Sequence, residues 1–523
     1  MFTMKPICTD TSDLEAILKA GQLYVDKTAY FHRLITDPSR NYFFCARPRR
    51  VGKSLGVSTL KSIFLGHKEA FEGLAISKTD YDWKPHAVIH FNWGGVDASS
   101  LENFDATFPA AVERSLVEAG FAYDKTLQPS TNLGDAINFF YAKDGVGPAI
   151  LIDEYDDPVA KSLADPARAE TIRDRLASIY AQFKDNSGKI RFLFITGVSK
   201  FTKLSIFSTL SNLNDITFED AFAAMFGYTE EELDANFDGY MRLHAEKMGL
   251  SYEDYRAKLK HWFNGYRFAR MNAVTVYNPV SINLTLFGCE PEFRGTWTET
   301  GRPSMLMNYI KREGLLKIDY ESGVTVRESA FDVSDIRNLK AVGMLYQTGY
   351  LTITDYADGR FTLGIPDEEV RRDLLKLVAA QSAGQDETWV SEICDHLIDG
   401  EFEPFFEGLK ALYAHLPYGS TEGRAHEMNF ERALKILFWS QGFTVVAEDV
   451  QTQGRADLVV LQKRGIYIFE LKVDESAAAA LAQIKEKDYA KPYLADGRPI
   501  YSIGLNFDSK TRQLVDTALE ALP

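Results

Sequence analysis

Four runs in the first half of the chain are apolar without alternation: NYFFCA (41–46), AVIHFNW (87–93), PAILIDE (148–154) and IRFLFITG (190–197). Stretches of helical spacing separate them. A strand apolar on both sides is buried on both sides, so the pattern predicts a parallel sheet with helices on each face. From about Phe226 the period changes. FGYTEEELDANFDGYMRLHAEKMG and SYEDYRAKLKHWFNGYRF have helical spacing, punctuated by Asn236, Gly249 and Gly265, and predict a helical lid. LYQTGYLTI (345–353) and RFTLGIPDEEVRRDLLKLV (360–378) predict strand, turn, strand and helix. That order describes a small winged-helix-like unit, followed by a helical connector to about Tyr418. Further on, MNFERALKILFWSQG predicts a helix with a broad apolar face and TVVAEDV a strand. ADLVVLQKRGIYIFELKV predicts a hairpin turning at Lys463 to Gly465.

The first apolar run leads into ARPRRVGKS, and SLGVSTLKSIFLG continues as an amphipathic helix. Strand, loop and helix in that order is the setting in which main-chain N–H groups and a helix N-terminus face phosphates. Val51 and Gly52 fall in the loop that would cradle the nucleotide. Lys53 would reach the β and γ phosphates, and Ser54 would hold magnesium. Arg47 stands where such loops usually carry their first glycine. Pro48 biases it towards extended geometry, so the turn is expected to be built differently, and Arg47 is a candidate to face the phosphates. In ILIDEYDD, Asp153 ends an apolar strand and would bind magnesium directly or through water. Glu154 would orient and deprotonate the attacking water. Thr196 ends another apolar run, where a polar residue can sense the γ phosphate. Arg267, in NGYRF, is either an arginine finger or a packed lid arginine. His244 and Glu246, with no cysteine pair nearby, read as a helix-surface pair.

Near the C-terminus, period two puts Glu470 and Lys472 on one face of a strand and Phe469 and Leu471 on the other. Asp457 lies on the preceding strand of the hairpin, which can bring the two carboxylates together. Two acids and a lysine at one place suit phosphodiester hydrolysis. Asp457, Glu470 and the Leu471 carbonyl would hold one or two Mg2+ ions, or Mn2+, and Lys472 would position or deprotonate water. Glu427 or Glu431 on the preceding helix would add an acidic ligand. Gln483 and Lys487, four residues apart on a helix, would contact the substrate backbone.

Across 523 residues the formal net charge is −16, which excludes a general polyanion binder. Nucleic acid would have to be met by a local basic or metal-filled groove. Cys8, Cys45, Cys289 and Cys394 form no CxxC pair, which argues against a disulfide framework or a cysteine zinc site and fits a reducing cytosol. No basic head with an apolar run opens the chain, and no stretch is long enough to span a bilayer. A cytoplasmic protein without membrane association is expected.

The segments LYVDKTAYFHRLI, ARPRRVGKSL, ILIDEYDDP, FITGVSKF, FGYTEEEL, WFNGYRF, YNPVSI, LYQTGYLTI, LGIPDEEVR, GRADLVV, YIFELKV and AQIKEKDYA occur in that order over nearly the whole chain. In them the chain resembles the prokaryotic AAA-ATPase-like proteins that carry a C-terminal PD-(D/E)XK nuclease-superfamily domain. The resemblance implies a P-loop NTPase core at 1–225, a helical lid at 226–300, a winged-helix-like and helical connector at 301–418, and a restriction-endonuclease-like α/β domain at 419–523. It makes Arg47 a family feature, since R-P-R-R is usual there, and Val51 a departure from the aromatic often found before the loop's glycine. It also places Asp26 and Lys27 in an N-terminal signature near the nucleotide, and Gln483 and Tyr489 on the helix behind the nuclease site. The expected function is an ATPase whose nucleotide state controls a magnesium-dependent nuclease. The alternative is an ATP-driven switch whose nuclease-like domain only binds nucleic acid or a protein. DNA against RNA and self-association stay open.

Overall fold

The four continuous apolar runs become neighbouring parallel strands in a computed structural model, which describes residues 4–200, 210, 212–288, 291–296, 323–331, 341–414, 424–451 and 454–522. They are β1 (Tyr42–Ala46), β2 (Val88–Asn92), β3 (Ala149–Asp153) and β4 (Phe192–Gly197); a two-residue strand, β5 (Asn214–Asp215), completes the sheet. Its order is β2-β3-β4-β1-β5, with every pairing parallel. One face packs on the helices Leu101–Glu118, Pro129–Asp144 and Pro166–Asp185, through residues such as Phe44, Phe91, Ile152 and Ile195. The helix Lys53–Phe64 covers the other face, where Phe64 lies 5.0 Å from Phe192. Burial on both faces explains why these strands show no alternation.

After β5 the chain forms the helices Glu230–Met248, Tyr252–Phe263 and Pro279–Phe287 and a two-stranded ribbon, β6 (Asn264–Tyr266) with β7 (Val276–Tyr277). Thr229 and Glu232 close a capping box at the start of the first helix, and Gly249, at φ 65°, ends it. Ile7 and Val25 from the N-terminal segment complete the core of this helical group. His244 does not lie on the helix surface as expected. It is buried, with Nε2 3.1 Å from the Gly288 carbonyl, because its side of the helix faces Tyr255 and the Pro279–Phe287 end.

A three-stranded antiparallel sheet follows: β8 (Val324–Arg327), β9 (Thr352–Ala357) and β10 (Arg360–Gly364), in the order β8-β10-β9. Here LYQTG is not strand. Leu345 to Thr348 end a helix, Ala341–Thr348, which stops at Gly349 with φ 88°, and β9 begins only at Thr352. The expected connector residues 301–322 lie outside the described residues, as does Cys289.

Among the described residues, those up to Asp367 form one compact unit and those from Glu368 a second. The second is built on a mixed five-stranded sheet, β11 (Thr444–Gln451), β12 (Gly454–Gln462), β13 (Gly465–Val473), β14 (Ile500–Phe507) and β15 (Leu514–Leu522), in sequence order. Only β13 and β14 run parallel. Phe405, Phe438 and Phe469 pack together on one side. Ile466 and Ile468 pack with Ile484 of the helix Ala477–Glu486 on the other. Among the described residues, no helix is long and apolar enough to cross a membrane.

Candidate functional site

Two groups of polar side chains contain most of the residues singled out in the sequence. The first lies at the carboxyl ends of β1, β3 and β4. Cys45 faces Thr196 across β1 and β4, Ile152 faces Ile195 across β3 and β4, and Asn92 faces Asp153 across β2 and β3. The chain leaves β1 for the far edge strand β2, and later crosses over β1 to form β5. β1 therefore marks a switch in connection direction, where open α/β sheets leave a crevice at their strand ends.

The loop after β1 turns through two left-handed residues, Arg50 at φ 67° and Gly52 at φ 99°. Gly52 caps the helix Lys53–Phe64. Gly56 lets that helix lie against Phe226, whose ring carbon would be 2.6 Å from a Cβ at this position. Lys53 is buried, and its ammonium donates to the loop's own Arg47 and Pro48 carbonyls at 3.1 and 2.7 Å. Burial pulls its pKa down, and Asp153, the strongest of the opposing charges, supports the ammonium together with Asp156 and Glu154. Ser54 is half-buried and makes no side-chain hydrogen bond to the described residues. Val51 is buried, and its carbonyl accepts from Gly227 N–H at 2.9 Å, fastening the loop to the start of the helical group.

Arg47 takes a different course from its neighbours. It is 1% exposed; its Nη1 donates to the Thr217 and Ala46 carbonyls, and its guanidinium lies 4.6 Å from the Phe268 ring centre. Nε and Nη2 have no hydrogen-bond partner among the described residues. The residue in the place of the usual glycine thus braces the strand end. The Thr196 hydroxyl is likewise committed, donating to the Cys45 carbonyl at 2.7 Å. Asp153 is buried and accepts from Glu154 N–H at 2.9 Å. Glu154 adopts φ 53°, a conformation costing about 1–2 kcal/mol for a residue with a Cβ. Its carboxylate occupies the space where Gly94 has no side chain, and burial raises its pKa, with Asp153 and Asp157 adding to the effect.

Asp156 is a further residue of this turn that the sequence pattern did not single out. It accepts from Ser199 N–H at 2.7 Å, Ser199 Oγ at 2.5 Å and Val198 N–H at 3.2 Å, clamping the loop that leaves β4. Gly197 makes room for it, since a Cβ there would stand 2.3 Å from Asp156 Oδ1.

Asp26 and Lys27 hold the N-terminal segment to the first unit. Asp26 accepts from Thr28 N–H, Thr28 Oγ1 and Ala75 N–H at 2.6–2.8 Å. Lys27 is buried, donates to Ala224 O at 2.9 Å and pairs with Glu232 at 2.6 Å. Arg267 donates to the carbonyls of Ala269, Arg270 and Thr354, and its N–H donates to Thr352 Oγ1. NGYRF in this way ties β6 to β9.

The second group lies on β12 and β13. Leu458 faces Phe469, so Asp457 and Glu470, one position further along each strand, lie across from one another. Asp457 Oδ2 accepts from Leu471 N–H at 2.8 Å. Glu470 is 2% exposed, and its Oε2 is buried without a hydrogen-bond partner among the described residues. Burial, with Asp457 as the next cause, pushes its pKa up to about 7. Lys472 Nζ lies 3.3 Å from Glu470 Oε1 and donates to Gln483 Oε1 at 2.6 Å. Gln483 in turn donates from Nε2 to Glu470 Oε1, and that amide is 3.4 Å from the buried Tyr489 hydroxyl.

Gln483 reaches the acids because β14 carries Gly504 opposite Glu470, which leaves room for the Ala477 carbonyl of the approaching helix. Lys487 caps the end of that helix and lies 3.6 Å from Glu486. Glu431 pairs with Lys435 at 2.7 Å, and the Glu427 side chain lies outside the described residues. Among the described residues, no three His, Cys, Asp or Glu side chains converge as a metal cage.

Residues 8–207 match the family model described as predicted AAA-ATPase, and residues 425–517 match that of the PD-(D/E)XK nuclease superfamily. A relative described as an uncharacterized protein in the vnfD 5′ region of Azotobacter chroococcum mcd 1 is 33% identical over 519 residues, covering 95% of each chain. The protein belongs to the AAA-ATPase-like family, with an N-terminal AAA-ATPase-like domain and a C-terminal PD-(D/E)XK nuclease-superfamily domain. No solved structure matches it.

Proposed function

We propose that the protein is an ATPase whose nucleotide state controls metal-dependent hydrolysis of nucleic acid phosphodiesters. The observation that carries the nuclease reading is Glu470 Oε2, a buried carboxylate oxygen with no hydrogen-bond partner among the described residues, across the hairpin from Asp457. An unpaired buried oxygen of this kind costs about 1–3 kcal/mol or more, a cost a bound cation removes. Asp457, Glu470 and the Leu471 carbonyl would hold the ion, and the donor set of hard oxygens fits Mg2+ or Mn2+. Such an ion polarises a phosphate and acidifies a bound water. Lys472 holds positive charge beside the acids and positions the water, and Gln483 fixes the Lys472 ammonium.

For the nucleotide, the carbonyls that now satisfy Lys53 belong to the loop itself, so phosphate oxygens would replace them. Ser54 and Asp153 would hold the accompanying magnesium, and Glu154 would orient water. The helices at 230–287 act as the lid, and the 324–364 segment as the wing-like unit that follows it. Lys53→Met is expected to weaken Mg·ATP binding about ten- to a hundredfold, the range for one hydrogen bond to a charged group. Calorimetry that finds equal ATP affinity in the native protein and in Lys53→Met would remove the loop from the proposal.

A further inference from the structure

Lys200 follows Thr196 by four positions and is 2% exposed. Its ammonium lies 3.0 Å from Asp215 of β5 and 3.9 Å from Glu328, the residue after β8, with the Phe218 ring 4.6 Å away. Arg270 reaches the same Glu328 from beyond β6, with Nη2 2.8 Å from both carboxylate oxygens. One carboxylate therefore receives a cation from the loop after β4 and another from the NGYRF region. Phe218 beneath them packs on Phe331, Tyr346 and Phe361, the core of the β8-β10-β9 group.

The other end of this chain of contacts is the turn after β3, whose Asp153, Asp156 and Glu154 are the carboxylates that support the Lys53 ammonium of the nucleotide loop. Asp156 stands three residues after Asp153 and clamps Val198 and Ser199, the two residues before Lys200. Short hydrogen bonds thus join the Asp153 turn to the residue next to Lys200. Burying a lysine is expensive, and apolar replacements of buried ion pairs are often no less stable, so packing alone does not call for this residue. Its ammonium is close to Asp215 and looser to Glu328, so a small shift of the loop changes the second of these contacts first. Beyond β10 only residues 365–367 precede the helix Glu368–Ser382 that opens the second unit.

We infer that Lys200 is a positioning residue that transmits occupancy of the nucleotide loop to the β8-β10-β9 sheet through Glu328. The inference deepens the proposed function and rests on ATP binding at residues 47–54. Coupling between two sites typically amounts to about five- to 150-fold in an equilibrium.

Hydrogen exchange of the full chain, with and without Mg·ATP, tests it. In the native protein, ATP should slow exchange at 47–56 and change exchange over 324–331 and 352–364 by about fivefold or more. Lys200→Met should keep the slowing at 47–56 and lose the change at 324–364, and Lys200→Arg should recover part of it. Should Lys200→Met lose the protection of β1 and β4 without nucleotide, Glu328→Gln serves instead, with the same expected loss. A change at 324–364 that persists in these variants overturns the inference. So does its absence in a native protein whose loop is protected, which leaves ATP binding standing. Absence of protection at the loop itself overturns both readings.

Discussion

Lys472 donates a 2.6 Å hydrogen bond to the Gln483 side-chain oxygen, and the same amide donates to Glu470 from its nitrogen. The glutamine thus sets both the lysine and the acid from a helix that carries neither. Gln483→Leu should leave the fold intact and let the ammonium collapse onto Glu470. Loss of such an outer-shell partner typically costs about 10–100-fold in activity or metal affinity. Cleavage rates and metal titration of the variant check this, and a rate within twofold of native would make Gln483 a packing residue.

Glu470 gives the second prediction. Its pKa is raised from 4.5 to about 7, so the folded protein holds that proton more tightly than the unfolded chain does. The associated stability is present below about pH 4.5 and is lost as pH rises through about 7, amounting to roughly 3 kcal/mol. Metal-free protein should therefore be less resistant to urea at pH 8 than at pH 5, read by exchange over residues 454–507. Glu470→Gln should flatten that dependence. Metal competes with the proton, so Mg2+ should restore stability chiefly above pH 7.

Gly504 supplies the third. A Cβ at this position would stand 2.2 Å from the Ala477 main-chain oxygen, which has no rotamer by which to retreat. Gly504→Ala should lift the Ala477–Glu486 helix, cost about 1–3 kcal/mol and draw Gln483 away from the acids. Thermal unfolding and cleavage should fall together. Native cleavage in a destabilised variant would separate the helix from the chemistry.

Arg47, which stands where such loops usually carry a glycine, gives the fourth. Its guanidinium is buried on Phe268 and bonded to Thr217, so Arg47→Gly should destabilise the first unit. Adding a charged hydrogen bond to a cation–π contact puts the loss at about 2–4 kcal/mol. A lower urea midpoint for exchange at β1 and β4 is the expected result.

These residues also show what the chain makes legible. β1, β3, β4 and the β12–β13 hairpin could be read because strands buried on both faces are continuous apolar runs, and because a turn punctuates the hairpin. Period two placed Glu470 and Lys472 on one face correctly, since Ile466 and Ile468 of that face pack on the helix that bears Gln483. β5 was not legible, being two polar residues held by the neighbouring strand. LYQTG misled because its apolar residues serve a helix end as well as a strand. Arg47 and Thr196 show the limit for side chains. Their positions along the chain were as expected, but the groups that take up their hydrogen bonds, Thr217 and Cys45, lie on other strands or beyond them. Asp156, Lys200 and Glu328 form a path only through contacts distant in sequence, which no local pattern records.

The most direct measurement is cleavage of mixed DNA and RNA substrates by the full chain with Mg2+ or Mn2+, in the presence and absence of ATP. Metal-dependent cleavage whose rate changes with ATP, and which disappears in Asp457→Asn, Glu470→Gln and Lys472→Met, is the predicted result. Cleavage that survives all three substitutions, or no cleavage of any substrate under conditions where the protein binds both metal and ATP, would contradict it.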